Sequence, residues 1–279
     1  MYGDDDYSNA KRLTVNDITK KYLNKEPIVA LTAYTAITAS TADRYCDVLL
    51  VGDSVGMVIY GYPTTIGVTL DMMINHGRAV VNNSRKSLIV IDMPFSSYEV
   101  SPEQAYRNAA TIMEKTNCTA VKLEGGEHMA PTIEFLTKRG IPVMAHIGLT
   151  PQHINKFGGF KVRGKSETQA EQLKVDLRAV EQAGSFSVVV EAVVENLARE
   201  LVELSNIPTI GIGASVACSG QILVTEDLLG VFEYSPKFVH RYSEFNRAMH
   251  NAIRQYAEEV RSRTFPYPDK IYQFKAKSK

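Results

Sequence analysis

The feature that most narrows the possible folds is a repeating unit, in which a short β-branched apolar run ends in polar or glycine residues and gives way to a segment with helical periodicity. Such alternation builds a parallel sheet, because a crossover helix must return the chain to the same end before each new strand. Strands are expected at 28–34, 48–52, 87–92, 120–123, 142–146, 187–191, 208–212 and 222–225. Helices are expected at 36–45, 70–84, 102–115, 129–139, 166–183 and 195–204. Ser101-Pro102-Glu103 carries a start signal of cap, first-turn proline and acid, while Gly140 and Gly184 fit helix ends. Eight such units with no second composition zone favour a closed α/β architecture, a single-domain (β/α)₈ TIM barrel, over an open doubly wound sheet.

The length of 279 residues suits one barrel, which takes about 250. The barrel is assigned to residues 25–262. Before it lies an extension, residues 1–24, in which Thr14-Val15-Asn16-Asp17-Ile18 begins a helix expected to cross the barrel bottom. Helical periodicity also marks 242–253, and a tail, 263–279, ends in the lysine-rich Lys275–Lys279, which is expected to fray.

Lysine plus arginine equal aspartate plus glutamate at 31 each, so overall charge points to neither nucleic acid nor an anionic membrane as partner. A small-molecule partner is expected. Cys46, Cys118 and Cys218 form no CxxC pair and read as buried, inert thiols. The acidic start Met1–Asp6 lacks an apolar signal region, and no apolar run approaches the roughly 20 residues of a membrane helix. A cytoplasmic enzyme is the expectation.

In a parallel barrel, catalytic side chains sit where the strands end. Here those ends are acidic: Gly52-Asp53-Ser54, Ile91-Asp92-Met93, Leu123-Glu124-Gly125, and Val190-Glu191, with His146 closing the fifth strand. Any one acid reads equally well as a turn former or cap. Four on one mouth repel one another unless a cation is present or one is protonated. Oxygen donors without a cysteine or histidine cluster suit magnesium, with Asp53 and Asp92 as ligands and Glu124 ligating directly or through water. Such an ion can polarise an α-keto acid toward an enolate.

Glu191, after Val188-Val189-Val190, is the candidate general base, with a metal ligand and a structural ion pair, for which Lys122 is one partner, as the alternatives. Lys122 shares a strand face with Glu124 and either holds a substrate carboxylate or compensates the acids. His146 either donates to substrate or is a satisfied core histidine. The other histidines show no metal-binding spacing, and His76 and His250 read as surface or packing residues. Gly211-Ile212-Gly213-Ala214-Ser215 lacks a nucleotide fingerprint and reads as a close backbone approach to substrate. The stretch Phe157–Gly164 reads either as a water-excluding lid or as a surface turn.

Taken in order, Val51-Gly52-Asp53-Ser54-Val55-Gly56-Met57, Asp92-Met93-Pro94-Phe95, Lys122-Leu123-Glu124-Gly125-Gly126, His146-Ile147-Gly148-Leu149-Thr150-Pro151-Gln152 and Gly158-Gly159-Phe160-Lys161-Val162 resemble the motifs of the ketopantoate hydroxymethyltransferase family. The resemblance spans about residues 12–260. It implies a (β/α)₈ barrel, Mg²⁺, and one-carbon transfer from 5,10-methylenetetrahydrofolate to 3-methyl-2-oxobutanoate in pantothenate biosynthesis. It also implies Asp53, Asp92 and Glu124 as metal-site positions, Asp53, Ser54, Asp92 and Lys122 as keto-acid contacts, Glu191 as proton acceptor, and a homo-oligomer, commonly a decamer. The chain departs from the family pattern at Ser215 and Ser219, where glycine and aspartate are usual, which puts the local loop shape in question. One rival is the phosphoenolpyruvate mutase and isocitrate lyase type of barrel, whose cysteine motif is missing near Cys118. A catalytically silent scaffold is the other, and it leaves the rim acids without a cation.

Overall fold

Successive side chains on each strand alternate between two apolar environments, and this parity decides where every polar group points. The computed structural model describes residues 7 and 9–272. Eight parallel strands close in chain order: β1 (Ile28–Thr32), β2 (Val48–Val51), β3 (Leu88–Asp92), β4 (Ala120–Glu124), β5 (Val143–Gly148), β6 (Ser187–Glu191), β7 (Thr209–Ile212) and β8 (Gly220–Leu223). β8 pairs back onto β1 with Gly220 opposite Ile28. The barrel expected from the repeat is therefore closed. Its eighth strand starts before the expected position and stops at Leu223, because Thr225 turns its hydroxyl to the carbonyl of Thr32 and takes the Thr32 hydroxyl on its own N–H.

Seven helices are used below: α1 (Val15–Leu23), α2 (Ala36–Ala42), α3 (Leu70–Asn82), α4 (Pro102–Thr116), α5 (Ala130–Thr137), α6 (Glu167–Gln182) and α7 (Glu195–Leu204). Several begin with side-chain caps: Thr14, Thr35, Thr69, Ser101 and Ser166 each accept from the third backbone N–H beyond, which satisfies a donor the helix itself leaves unpaired. At Thr14 the cap is reciprocal, with Asp17 accepting from the Thr14 N–H. Gly140 and Gly184 follow α5 and α6 with φ of 82° and 90°, the left-handed ends expected of them.

One strand face, with Leu49, Val51, Ile89, Ile91, Val121, Leu123, Ala145, Ile147, Val188 and Val190, packs against helices. The opposite face lines the barrel axis, where Ile28, Ala30, Val48, Leu50, Leu88, Val90, Ala120, Met144, Val189, Ile210 and Ile222 form a second cluster closed by Ile18 of α1. The expected helix across the barrel bottom is thus present, and Ile18 is its plug. Also at the bottom, buried Asp43 after α2 accepts the N–H groups of Arg85, Lys86 and Ser87 at 2.6, 2.9 and 2.7 Å and the Tyr7 hydroxyl at 2.6 Å. Along the axis the cluster stops where β3, β4, β5 and β6 place Asp92, Lys122, Glu124, His146 and Glu191.

The chain divides into two compact units, Met1–Thr225 and Glu226–Lys279. In the second, α8 (Phe245–Arg261) starts later and runs further than the expected 242–253. Tyr242 donates its N–H to the Leu228 carbonyl instead of entering the helix, and Gln255–Glu259 and Arg254–Glu258 pairs support the last turns. Among the described residues no helix is long and apolar enough to cross a membrane. Met1–Asp6 and Lys275–Lys279 lie outside the described residues.

Candidate active site

Asp92 is the last residue of β3 and faces the axis beside Lys122, its register partner on β4. The Lys122 ammonium lies 2.9 Å from Asp92 Oδ1, both side chains being almost fully buried. Asp53 follows β2 in the turn Gly52-Asp53-Ser54, and its backbone N–H donates to Asp92 Oδ2 at 3.0 Å. A Cβ at position 52 would stand 2.7 Å from Ser54 Oγ, so a side chain there would move the serine hydroxyl from its present place. Ser54 itself shares a hydrogen bond of 2.7 Å with the Tyr34 hydroxyl.

From Lys122 the contacts continue around the rim. Its Nζ lies 3.4 Å from His146 Nδ1, and His146 Nε2 lies 3.2 Å from Glu191 Oε2, a close approach rather than an aligned hydrogen bond. An ammonium facing Nδ1 leaves the imidazole proton on Nε2, toward Glu191. Burial first and Lys122 second push His146 below the ordinary histidine range, so the ring is neutral. Glu191 is the most open member, its side chain 17% exposed. The ion-pair alternative for Glu191 is corrected in its partner: Lys122 is committed to Asp92, and Glu191 faces His146.

The carboxylates occupy unlike states. Burial and then Asp92 push Asp53 upward, against the opposing pull of Lys122. Glu124 is pushed well above the ordinary range, by burial and then by Asp53. On Lys122 burial works against the charge, and Asp92, Glu124 and Asp53 together outweigh it, so the ammonium persists. The rim holds more negative charge than one lysine offsets, the imbalance a hard divalent cation relieves. Among the described residues no group of three or more His, Cys, Asp or Glu side chains could hold a metal by itself. Two neighbouring aspartates with further positions left for water and substrate fit magnesium, which seldom uses an all-protein cage.

Sequence reasoning missed the residue that ties this rim together. Gln152 donates from Nε2 to Asp53 Oδ2 at 2.8 Å and to the Met93 carbonyl at 3.0 Å, and gives its backbone N–H to Glu124 Oε2 at 3.0 Å. Its Oε1 accepts the Tyr98 hydroxyl at 2.5 Å. It stood at the end of the His146–Gln152 motif, but its role depends on the turn through Pro151. His76 is likewise more than packing, since Nδ1 lies 2.7 Å from the Tyr34 carbonyl and Nε2 3.0 Å from the Tyr60 hydroxyl.

The two departures from the family pattern have defined partners. Ser215 is buried, outside the residues with left-handed backbone, and donates to Glu195 Oε1 at 2.9 Å. Ser219 exchanges hydrogen bonds with Thr209. In the Gly211–Ser215 stretch, a Cβ at Gly211 would meet Cys218 Sγ at 2.9 Å and Gln221 Oε1 at 3.0 Å, so this glycine packs closely against the strand's own surroundings. All three cysteines are free and buried, with burial raising Cys46 to about 12 and Cys118 to about 11. In the Phe157–Gly164 stretch a short helix, Ile154–Phe157, ends at Gly158, and Arg163 anchors the far end by backbone bonds to Ala192 and Val194.

A closed parallel barrel with this chain of acid, lysine, imidazole and acid at its carboxyl rim defines a (β/α)₈ enzyme. The chain belongs to the ketopantoate hydroxymethyltransferase family, whose model matches residues 12–268, and is a transferase of that kind. It is 57% identical over 268 residues to the 3-methyl-2-oxobutanoate hydroxymethyltransferase of Bartonella henselae, covering 96% of this chain and 97% of the relative. It is 58% identical over 269 residues to the enzyme of the same name from Bartonella bacilliformis, covering 96% and 99%. Among solved structures it resembles a phosphonopyruvate hydrolase complex with oxalate and Mg²⁺, with TM-score 0.61, 12% identity and coverage of 94% and 92%. It also resembles 2,3-dimethylmalate lyase, a PEP mutase/isocitrate lyase superfamily member, with TM-score 0.59, 16% identity and the same coverage. These two likenesses concern the fold alone.

Proposed function

We propose that this enzyme transfers a one-carbon unit from 5,10-methylenetetrahydrofolate to 3-methyl-2-oxobutanoate, giving 2-dehydropantoate for pantothenate biosynthesis with uptake of one water. The observation that carries the reading is the unbroken run of contacts from Asp53 through Asp92, Lys122 and His146 to Glu191. Asp53 and Asp92 would hold Mg²⁺, with Glu124 nearby to bind it directly or through water. When bound, the ion supplies Lewis-acid polarisation of the keto acid.

Glu191 takes the proton from C3 of the keto acid, and its partial exposure at the rim gives substrate access to it. His146 stands 3.2 Å from this carboxylate and holds its own proton on the nitrogen that faces it. Ser54, oriented by Tyr34, and Lys122 position the substrate carboxylate. The electron pair freed at C3 forms the new bond to the donor's methylene carbon as one of that carbon's two bonds to folate nitrogen breaks. The second carbon–nitrogen bond then breaks as the oxygen of one water bonds to the same carbon, and the two folate nitrogens take up the proton from C3 and one proton from that water. Solvent deuterium exchange at C3 tests the assignment: Glu191→Gln abolishes exchange while keto acid still binds, and undiminished exchange removes Glu191 as base.

A cytoplasmic homo-oligomer, a decamer, completes the proposal. Phe245, Met249, Ile253, Tyr256 and Val260 recur at three- and four-residue spacing on α8 and all are exposed, a stripe suited to a second copy of the chain. Sedimentation velocity of the full chain would return a monomer if this is wrong.

A further inference from the structure

A cavity of about 490 Å³ opens beside the rim, between the ends of β4 and β5 and the start of α6, within the size range of small-molecule pockets, about 300–1,000 Å³. None of Asp53, Asp92, Glu124, His146 or Glu191 lines it. Its walls carry His128, His153, Lys156 and Arg163 against one acid, Asp176. Asp176 Oδ1 is already taken by the Glu127 N–H at 2.9 Å and by Gln172 Nε2 at 3.1 Å. The uncommitted chemistry is cationic.

Residues of the cavity wall also touch the reaction site. His153 Nδ1 stands 3.1 Å from Thr150 Oγ1 and 3.9 Å from Glu124 Oε2. Gly148, in its wall, is the register partner of Glu191, and the next N–H, from Leu149, donates to the Glu191 carbonyl at 2.8 Å. Arg163 is held by its backbone to Ala192, next to Glu191, while its guanidinium lies 4.2 Å over the Phe157 ring, which fixes a long side chain in advance. Ile147, on the helix-facing side of β5, lines the cavity too, so the space lies outside the axis where the acids meet. A molecule occupying it cannot present its reacting carbon there. What fits is the remote, anionic end of a long substrate whose other end reaches Glu191.

On the reading that the donor is a reduced folate, we propose that this cavity receives its aminobenzoyl-glutamate tail, with Arg163 and Lys156 pairing the tail carboxylates and His128 and His153 forming the wall. Arg163 grips in bidentate fashion and Lys156, exposed at the mouth, as a point charge. Additional glutamates on the donor would extend outward past Lys156.

Isothermal titration of the full-length protein with tetrahydrofolate, its triglutamate form and the tail-free 6-methyltetrahydropterin tests the assignment. Arg163→Glu and Lys156→Glu each weaken tetrahydrofolate by about tenfold and the triglutamate by more, while 6-methyltetrahydropterin shifts by less than about twofold. Arg163→Lys retains most of the affinity and serves as the test should the charge reversal not fold, with a loss of about two- to threefold expected. Unchanged tetrahydrofolate affinity in all variants overturns the proposal. So does equal weakening of the tail-free pterin, which would put the ring system in the cavity. A wild-type protein that binds no reduced folate at all refutes the donor itself, which separates that failure from a misplaced tail.

Discussion

The two ends of the barrel treat a buried carboxylate in opposite ways. At the bottom, Asp43 accepts three backbone N–H groups and a tyrosine hydroxyl, which outweigh its burial and hold it below the ordinary aspartate range. At the top, Glu124 and Asp53 are pushed above theirs, because burial combines with like charge that Lys122 only partly offsets. The bottom acid is a stabilising node between α2 and β3. The top acids are held at a cost that an apolar rim would not carry, and such local inconsistency belongs to sites where chemistry is done.

The largest effect expected from this contrast is on activity. Asp53→Asn lowers kcat/KM by at least about a hundredfold, the scale of losing one preorganised electrostatic group, while Tm holds or rises because a repulsion is relieved. Steady-state kinetics beside calorimetry checks both; a Tm that drops as for a core mutant would break the contrast. Next in size, Asp43→Asn destabilises the fold by about 2–4 kcal/mol, since the amide places donors against backbone donors in a buried node. Urea unfolding measures it, and the folded fraction keeps its kcat/KM.

A smaller effect is in the pH dependence of stability, measured with a chelator present. Asp43 has a depressed folded pKa, so its contribution is complete above the ordinary aspartate value, about 3.9, and is lost as pH falls through the lower folded value. Glu124 has a raised folded pKa, so the fold favours its neutral form and stability declines as pH rises from about 4.3 toward that higher value. Asp43→Asn should flatten the acid limb of a Tm-against-pH curve, and Glu124→Gln the decline above it. Identical curves for the two variants would show that the ends do not differ in this way.

How far the sequence disclosed these ends depended on range. The strands were legible because short β-branched apolar runs and crossover helices are local signals, and Thr14, Ser101, Gly140 and Gly184 mark boundaries by chemistry confined to a few residues. The rim acids were legible as a set, since strand ends converge in any parallel barrel. Their partners were not. Gln152 meets Asp53 across 99 positions of chain and Tyr98 meets Gln152 across 54, so neither contact has a sequence pattern. Asp43 passed unnoticed because its acceptors' partners are backbone groups, which any residue supplies. Gly211 carries no directional signal of its own: a glycine in a strand serves close packing as readily as ligand approach.

The strict alternation within β4 has one further implication, for how such a molecule can change over time. Lys122 and Glu124 lie toward the axis only because Val121 and Leu123 lie toward the helices. Deleting a single residue upstream in that strand would trade the pairs, placing hydrocarbon at the mouth and ions in the outer shell. Length variation among descendants of this chain should therefore gather in the connections and spare β4 itself, so that the frame of the barrel and its reactivity are inherited together.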